Sequence, residues 1–219
     1  MRLKLLLPDV KTAEFRQPKK CARAGCAGMR FCPRQVLGAR MGLLAAELLG
    51  MELPRSDKHL FVISETDGCA VDGLIAATGC RVGSRTLRIL DFGKVAATFT
   101  DTYSEETIHI APRQEARTLA VDHAPSALSK WEAMLLGYQV MPMSDLFVVQ
   151  RVKLDIPLSE IISRPGRKTI CEICGEEIMN GREVEKNGDV LCRACAGESY
   201  YDCSLDSLTM ELFDHIKES

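Results

Sequence analysis

The sequence predicts an α+β core over residues 1–163 and a small cysteine-rich domain over 164–219. Segments of helical period alternate with short β-branched runs as far as Lys153. A Pro-Gly and basic stretch, Arg164–Lys168, then interrupts them, and two Cys-x2-Cys pairs follow it. With 219 residues, 46% of them hydrophobic, and a net charge of −2, the chain can bury a proper core. The same figures exclude the disordered, collagen-like and strongly basic nucleic-acid-binding classes.

Charge is uneven. Residues 1–34 carry nine Lys or Arg against two acids, whereas residues 171–203 carry eight acids against three bases. A basic segment suits a phosphate or acidic partner, and equally an arm docked on an acidic surface of its own chain or of a second protomer. The apolar run Leu5–Leu7 is stopped by Pro8 and Asp9, too short for a secretory segment or a membrane span, so the expected compartment is the cytosol and no membrane partner is expected. Ten cysteines in a reducing compartment are read first as free thiols or metal ligands.

Taken in order, Arg34–Met51 reads as a helix. Cys32 sits at its cap, Pro33 at its first position, and Leu37, Met41, Leu44 and Leu48 fall at helical spacing, with Gly50 ending it. Gly38, Gly42 and Ala46 form a small-residue stripe suited to close packing. His59–Ser64 has strand composition, and Asp67-Gly68 turns the chain into a second helix, Cys69 to Thr78, broken by Gly79. Leu87–Leu90, Lys94–Thr100 and Thr107–Ile110 read as strands, the first two joined across Asp91-Phe92-Gly93, so a mixed or antiparallel sheet packed by helices is expected. Two helical segments follow, Arg113–His123 and Ser126–Val140, with Leu128, Trp131, Leu135 and Leu136 as apolar positions. Ser144–Lys153 is the last core strand, and Arg164–Lys168 the linker.

In the second domain, Cys171-x2-Cys174 and Cys192-x2-Cys195 lie 17 residues apart, the spacing with which two tight turns present four thiolates to one tetrahedral zinc. Asn187-Gly188 between Val184–Lys186 and Asp189–Leu191 is a hairpin signal, giving a zinc-ribbon or treble-clef plan. So short a domain has little core of its own, and structural zinc can supply about 10–16 kcal/mol of apparent folding energy. Two disulfides or an iron–sulfur centre are the alternatives. Cys203 lies outside the four-ligand set, and Leu205–Lys217 reads as a closing helix. The acidic balance of this domain favours protein contact over phosphate.

The core holds a second candidate site. Cys32 lies at a helix start between Arg30 and Arg34, where a thiolate is favoured, and is the candidate catalytic cysteine. Cys69 opens the next helix with Asp72 one turn along, so Cys32, Cys69 and Asp72 are the candidate core metal ligands. Cys80, eleven residues past Cys69, lies about 16 Å from it along an unbroken helix and reads as a small buried hydrophobe. His59, His109, His123 and His215 are scattered and read as structural or exposed. No Gly-rich phosphate loop, serine elbow or dinucleotide fingerprint is present.

Cys32-Pro33 with Leu37-Gly38, Cys69-Ala70-Val71-Asp72 with Gly79-Cys80 and Gly83, Asp91-Phe92-Gly93-Lys94, and Cys171–Cys195 ahead of Tyr200-Tyr201 together resemble the FmdE family of formylmethanofuran dehydrogenase. The resemblance implies an α+β core, an intertwined homodimer and, in many members, a core metal site around the Cys-Pro and Cys-x2-Asp motifs. The family's His-Gly-His run before Cys-Pro is replaced here by Gly28-Met29-Arg30-Phe31, and Ile75 stands where a glutamine is usual. Cys21 and Cys26 are the thiols available to substitute, although their spacing to Cys32 matches no iron–sulfur pattern. The resulting expectation is a cytoplasmic, homodimeric zinc protein that binds metal or a protein partner. As the resemblance implies, it would be an accessory to a molybdenum or tungsten enzyme. One alternative is a cysteine-dependent enzyme or sulfur carrier working through Cys32. A zinc-finger transcriptional regulator is another, disfavoured by the acidic module.

Overall fold

The computed structural model describes residues 32–155, 157–158 and 166–202. Cys21, Cys26, Cys203, His215 and the expected Leu205–Lys217 helix lie outside the described residues. The chain divides into two compact units, 1–161 and 162–219.

The first unit opens with α1 (Pro33–Leu49), capped by Cys32 in an extended conformation and ended by Gly50 in the left-handed region at φ 64°. Strand β1 (Leu60–Ser64) leads to α2 (Ala70–Thr78), capped by Cys69 and ended by Gly79 at φ 76°. Strands β2 (Leu87–Ile89), β3 (Ala97–Asp101) and β4 (Thr107–Pro112) follow. After helices α3 (Ala116–Asp122), α4 (Lys130–Val140) and the single turn α5 (Met143–Leu146), β5 (Phe147–Arg151) completes the sheet.

The five strands lie in the order β2-β1-β3-β4-β5, with β2 parallel to β1 and the other pairs antiparallel. Every residue of β1 is buried, because both sheet faces are covered there. Leu60 and Val62 join the main core with Phe99, Ile108, Ile110 and the helices, while Phe61 and Ile63 pack with Leu154 and Leu158 on the other face.

Three expectations need correction. Asp91-Phe92-Gly93 does not close a hairpin: the β1 strand lies between β2 and β3. The Leu90 N–H bonds Ser64 C=O, and the Phe92 and Lys94 N–H groups both bond Glu65 C=O, at 2.9, 3.0 and 3.1 Å. The turn therefore carries the chain over the end of β1 and sets β3 on its far side. Second, α4 starts at Lys130, not Ser126. Ser129 Oγ accepts from the Glu132 N–H at 3.1 Å and the Glu132 carboxylate accepts from the Leu128 N–H at 2.8 Å, a reciprocal cap at the later serine. Third, Ser144–Leu146 are not strand, because the Asp145 and Leu146 N–H groups bond Pro142 C=O in a helical turn.

The apolar positions expected of α4 divide: Leu135 packs against the main core, whereas Leu128, Trp131 and Leu136 face outward. Ala133, Gly137 and Tyr138 are its buried residues, and Gly137 lies so close to α3 that a Cβ there would stand 2.4 Å from Ala120 O. That approach places the opposite side outward, leaving Leu128 94% and Trp131 44% exposed, with Leu136 and Val140 exposed beside them. At the other end of α4, the Arg40 guanidinium of α1 donates to the carbonyls of Tyr138 and Met141 at 2.6 and 2.7 Å. A cation thus meets the negative end of the helix, and burial lowers its pKa.

The second unit is two small hairpins. Strands β6 (Lys168–Ile170) and β7 (Glu177–Met179) form one, and β8 (Val184–Lys186) and β9 (Asp189–Leu191) the other. The second turns through Asn187 and Gly188, both at positive φ (57° and 96°), the signature of a two-residue hairpin turn. A short helical turn, Ala194–Glu198, follows. Cys171, Ile178 and Leu191 are its buried core.

Candidate metal centre and core thiol pair

The first cysteine pair lies just beyond β6 and the second just beyond β9. The Gly175 N–H bonds back to Cys171 C=O at 2.9 Å, a reversal that Gly175 permits with φ 74°. The second pair repeats the arrangement, Ala196 N–H to Cys192 C=O at 2.9 Å. A bond from Glu172 N–H to Val190 C=O, 3.0 Å, fastens the first turn to β9 and so brings the pairs together. The four sulfur atoms all lie within 4.8 Å of one another, with Cys174 and Cys192 at 3.9 Å. Tetrahedral zinc with bonds of about 2.3 Å would place its sulfurs roughly 3.8 Å apart, so this donor set fits the ion.

Electrostatics agrees. The Cys171 thiol is held down at about 6, first by the backbone N–H of Cys174 and then by that of Cys192, which lies 3.3 Å from the sulfur. Further ionisation is resisted. Cys195 is pushed up to about 12, foremost by its hydrogen bond with the Cys192 side chain and then by burial. Four thiolates in this space repel one another unless a divalent cation neutralises them.

Among the described residues this is the only group of three or more His, Cys, Asp or Glu side chains close enough to share an ion. The core candidates form a smaller cluster. Helices α1 and α2 run side by side in the same direction, in backbone contact. A Cβ on Gly38 would stand 2.0 Å from Ala70 O, and one on Gly73 would stand 2.0 Å from Gln35 O. The expected packing role of Gly38 and Gly42 is met here, Gly42 lying against Thr78 and Ala77. The two N-terminal caps are thereby adjacent, and the neighbouring Cys32 side chain is the first cause raising the Cys69 thiol pKa. Asp72 adds to that rise through its charge.

Gln35 was missed by sequence reasoning. Its Oε1 accepts from the Cys32 N–H at 2.8 Å and its Nε2 donates to Asp72 Oδ2 at 3.3 Å, tying the two helix starts together. The available signal was the spacing Cys32-x2-Gln35, that of a capping box. Cys69 is exposed and Cys32 half-buried. Cys80 is buried, as expected, its Sγ 3.5 Å from Leu60 O and its thiol pKa raised by desolvation. Two of the histidines are structural: His59 pairs with Asp101 at 2.8 Å, and His109 with Glu65 at 3.0 Å. No helix among the described residues is long and apolar enough to cross a membrane.

Comparison with known proteins places this geometry. The family described as "FmdE, Molybdenum formylmethanofuran dehydrogenase operon" matches residues 30–148, and "Prokaryotic dksA/traR C4-type zinc finger" matches 164–201. A protein of Archaeoglobus fulgidus called "Probable S-adenosyl-L-methionine-binding protein" is 30% identical over 194 residues, 78% of this chain and 50% of that one. The chain thus spans about half the length of this curated relative. The crystal structure of an FmdE-like protein of tungsten formylmethanofuran dehydrogenase from Syntrophus aciditrophicus matches with TM-score 0.50 at 20% identity. That match covers 77% of this chain and 86% of the other, and it supports the fold. The four-cysteine cluster and the C4-type match together support a structural zinc. By its match over more than half its length, the chain belongs to the FmdE family, and a C4-type zinc finger follows the family domain.

Proposed function

We propose that this is a metal-binding accessory protein. Its working site is the Cys32–Cys69 pair, with Asp72 as a third donor, and its C-terminal zinc serves structure and partner contact. One observation carries the reading: two thiols from helix caps 37 residues apart are held side by side at one end of a parallel helix pair, with a carboxylate alongside. Such a set suits a thiophilic ion, which would draw Asp72 from its long bond with Gln35. The working form we propose is a cytoplasmic homodimer. The apolar stripe Leu128, Trp131, Leu136 and Val140, exposed on one chain, supports a protein partner for that face. The acidic zinc module supports protein contact rather than nucleic acid.

Elemental analysis and cobalt(II) titration of the full chain test the reading. Wild type should hold two ions, Cys174→Ser one, and Cys69→Ser one, with the zinc-finger ion kept in the last. A single ion in wild type, or a count that Cys69→Ser leaves unchanged, would sink it. S-adenosylmethionine, the ligand in the relative's name, is the control: stabilisation of wild type and Cys69→Ser alike would move the reading from metal to that ligand.

A further inference from the structure

We propose that Cys32 and Cys69 close a reversible disulfide, making the paired helix caps of the core a thiol switch. Its consequence for ion binding rests on the metal reading above, but the bond itself does not.

The register of the two helices carries the inference. Gly73, four residues beyond Cys69, touches Gln35, three residues beyond Cys32. At a rise of about 1.5 Å per residue, the two caps are therefore level to within roughly one residue. The backbone-to-backbone approach at Gly38 and Gly73 brings the helices closer than the usual 8–10 Å or so. Level caps on helices this close bring the Cα atoms toward the separation of about 4.4–6.8 Å that a disulfide requires. Gln35 holds both ends of the arrangement, through the Cys32 N–H and the Asp72 carboxylate.

The other described thiols are unsuited to this chemistry. Cys80 is 1% exposed and faces Leu60 O, and Cys171, Cys174, Cys192 and Cys195 form the zinc cluster. Only the core pair combines adjacent helix caps, an exposed member and a half-buried member among the described residues. In a reducing compartment such a pair suits a transient, regulatory bond rather than a structural staple.

The chemistry needs an oxidant, and a low-molecular-weight disulfide, RSSR, serves. The exposed Cys69 thiolate attacks one sulfur of RSSR. The S–S bond breaks, RS⁻ leaves and takes up the proton given up by Cys69, and a mixed disulfide Cys69–S–SR remains. The Cys32 thiolate then attacks Cys69 Sγ, and the second RS⁻ leaves with the proton from Cys32. The protein loses two electrons and two protons, and RSSR becomes two RSH. Both sulfurs are then withdrawn from any ion they would share.

The test incubates zinc-loaded full-length protein with oxidised glutathione and maps cross-linked peptides by mass spectrometry without reduction. Wild type should lose two alkylatable thiols per chain, yield the Cys32–Cys69 peptide and recover fully with reductant. Cys32→Ser should stop at a stable glutathione adduct on Cys69. Cys69→Ser should react at least tenfold more slowly at Cys32. Trp131 fluorescence and zinc content verify that both variants are folded. Cross-linking of Cys32 to Cys21 or Cys26, or Cys69 remaining fully alkylatable under oxidant that consumes other thiols, would overturn the proposal. If the bond forms but no core ion is ever found, the metal reading alone falls.

Discussion

Replacing Gly73 by Ala tests the contact on which the core site depends. The new Cβ would stand 2.0 Å from Gln35 O, 2.7 Å from Ala39 N and 2.9 Å from Gln35 C, all backbone atoms that cannot swing away. Real Cβ atoms essentially never approach within 3.0 Å, so α1 and α2 must part by about 1 Å or more. Overpacking costs about 1–3 kcal/mol, and a clash against backbone belongs at the upper end. Alanine in a helix interior returns about 1 kcal/mol of propensity, which leaves a net loss of about 2 kcal/mol. For a unit of this size that lowers Tm by about 4–8 °C. The fluorescence of Trp131, the chain's one tryptophan, reports on the core unit to which it belongs. Gly83→Ala, where nothing lies within 4 Å, is the control and should change stability by less than about 0.5 kcal/mol. Gly73→Ala should also slow Cys32–Cys69 cross-linking, because parting the helices parts the caps. A Gly73→Ala protein as stable as the control, cross-linking at the wild-type rate, would refute the close parallel packing.

Three further outcomes are expected. Phe99→Ala empties the centre of the main core, where Phe99 is fully buried, and should cost about 3–5 kcal/mol by urea denaturation; under 1 kcal/mol would place Phe99 elsewhere. Gly188→Val puts a β-branched residue at φ 96° in the zinc-module hairpin and should speed zinc loss to a chelator severalfold, whereas an unchanged rate would argue against that turn. Cys174→Ser should abolish the zinc-finger ion and unfold its module; retained zinc would refute the four-thiolate site.

What could be read from sequence follows how local the cause is. Cys32-Pro33 and Gly50 bound α1 because cap chemistry acts within one turn, and Asn187-Gly188 sets a hairpin because two positive φ angles suffice. The four zinc cysteines were legible because zinc imposes its geometry on short spacings. Asp91-Phe92-Gly93 misled for the opposite reason. A turn signal states that the chain reverses, not which strand it then pairs with, and here the backbone of Glu65 decides that. The apolar residues of α4 misled similarly: a helical stripe identifies an apolar side, while the small face at Gly137 against Ala120 settles which side the chain itself buries.

The core thiol pair lies between these cases. Cys32, Cys69 and Asp72 were each recognisable from the start of a helix, yet nothing local says that two helices begin at the same place. That information resides in the glycines. Gly38 was visible as a small residue, but its counterpart Gly73 lies between Asp72 and Leu74 and carries no periodic signal of its own. Only when both backbones are in register do the two caps become one site, with Gln35 bridging them. The chemistry of the core therefore depends on packing that has no side chain to show for it. A survey of substitutions should find Gly38 and Gly73 as intolerant as the cysteines themselves in any assay of thiol reactivity. Gly83, which has nothing within 4 Å of its would-be Cβ, should leave that reactivity unaffected.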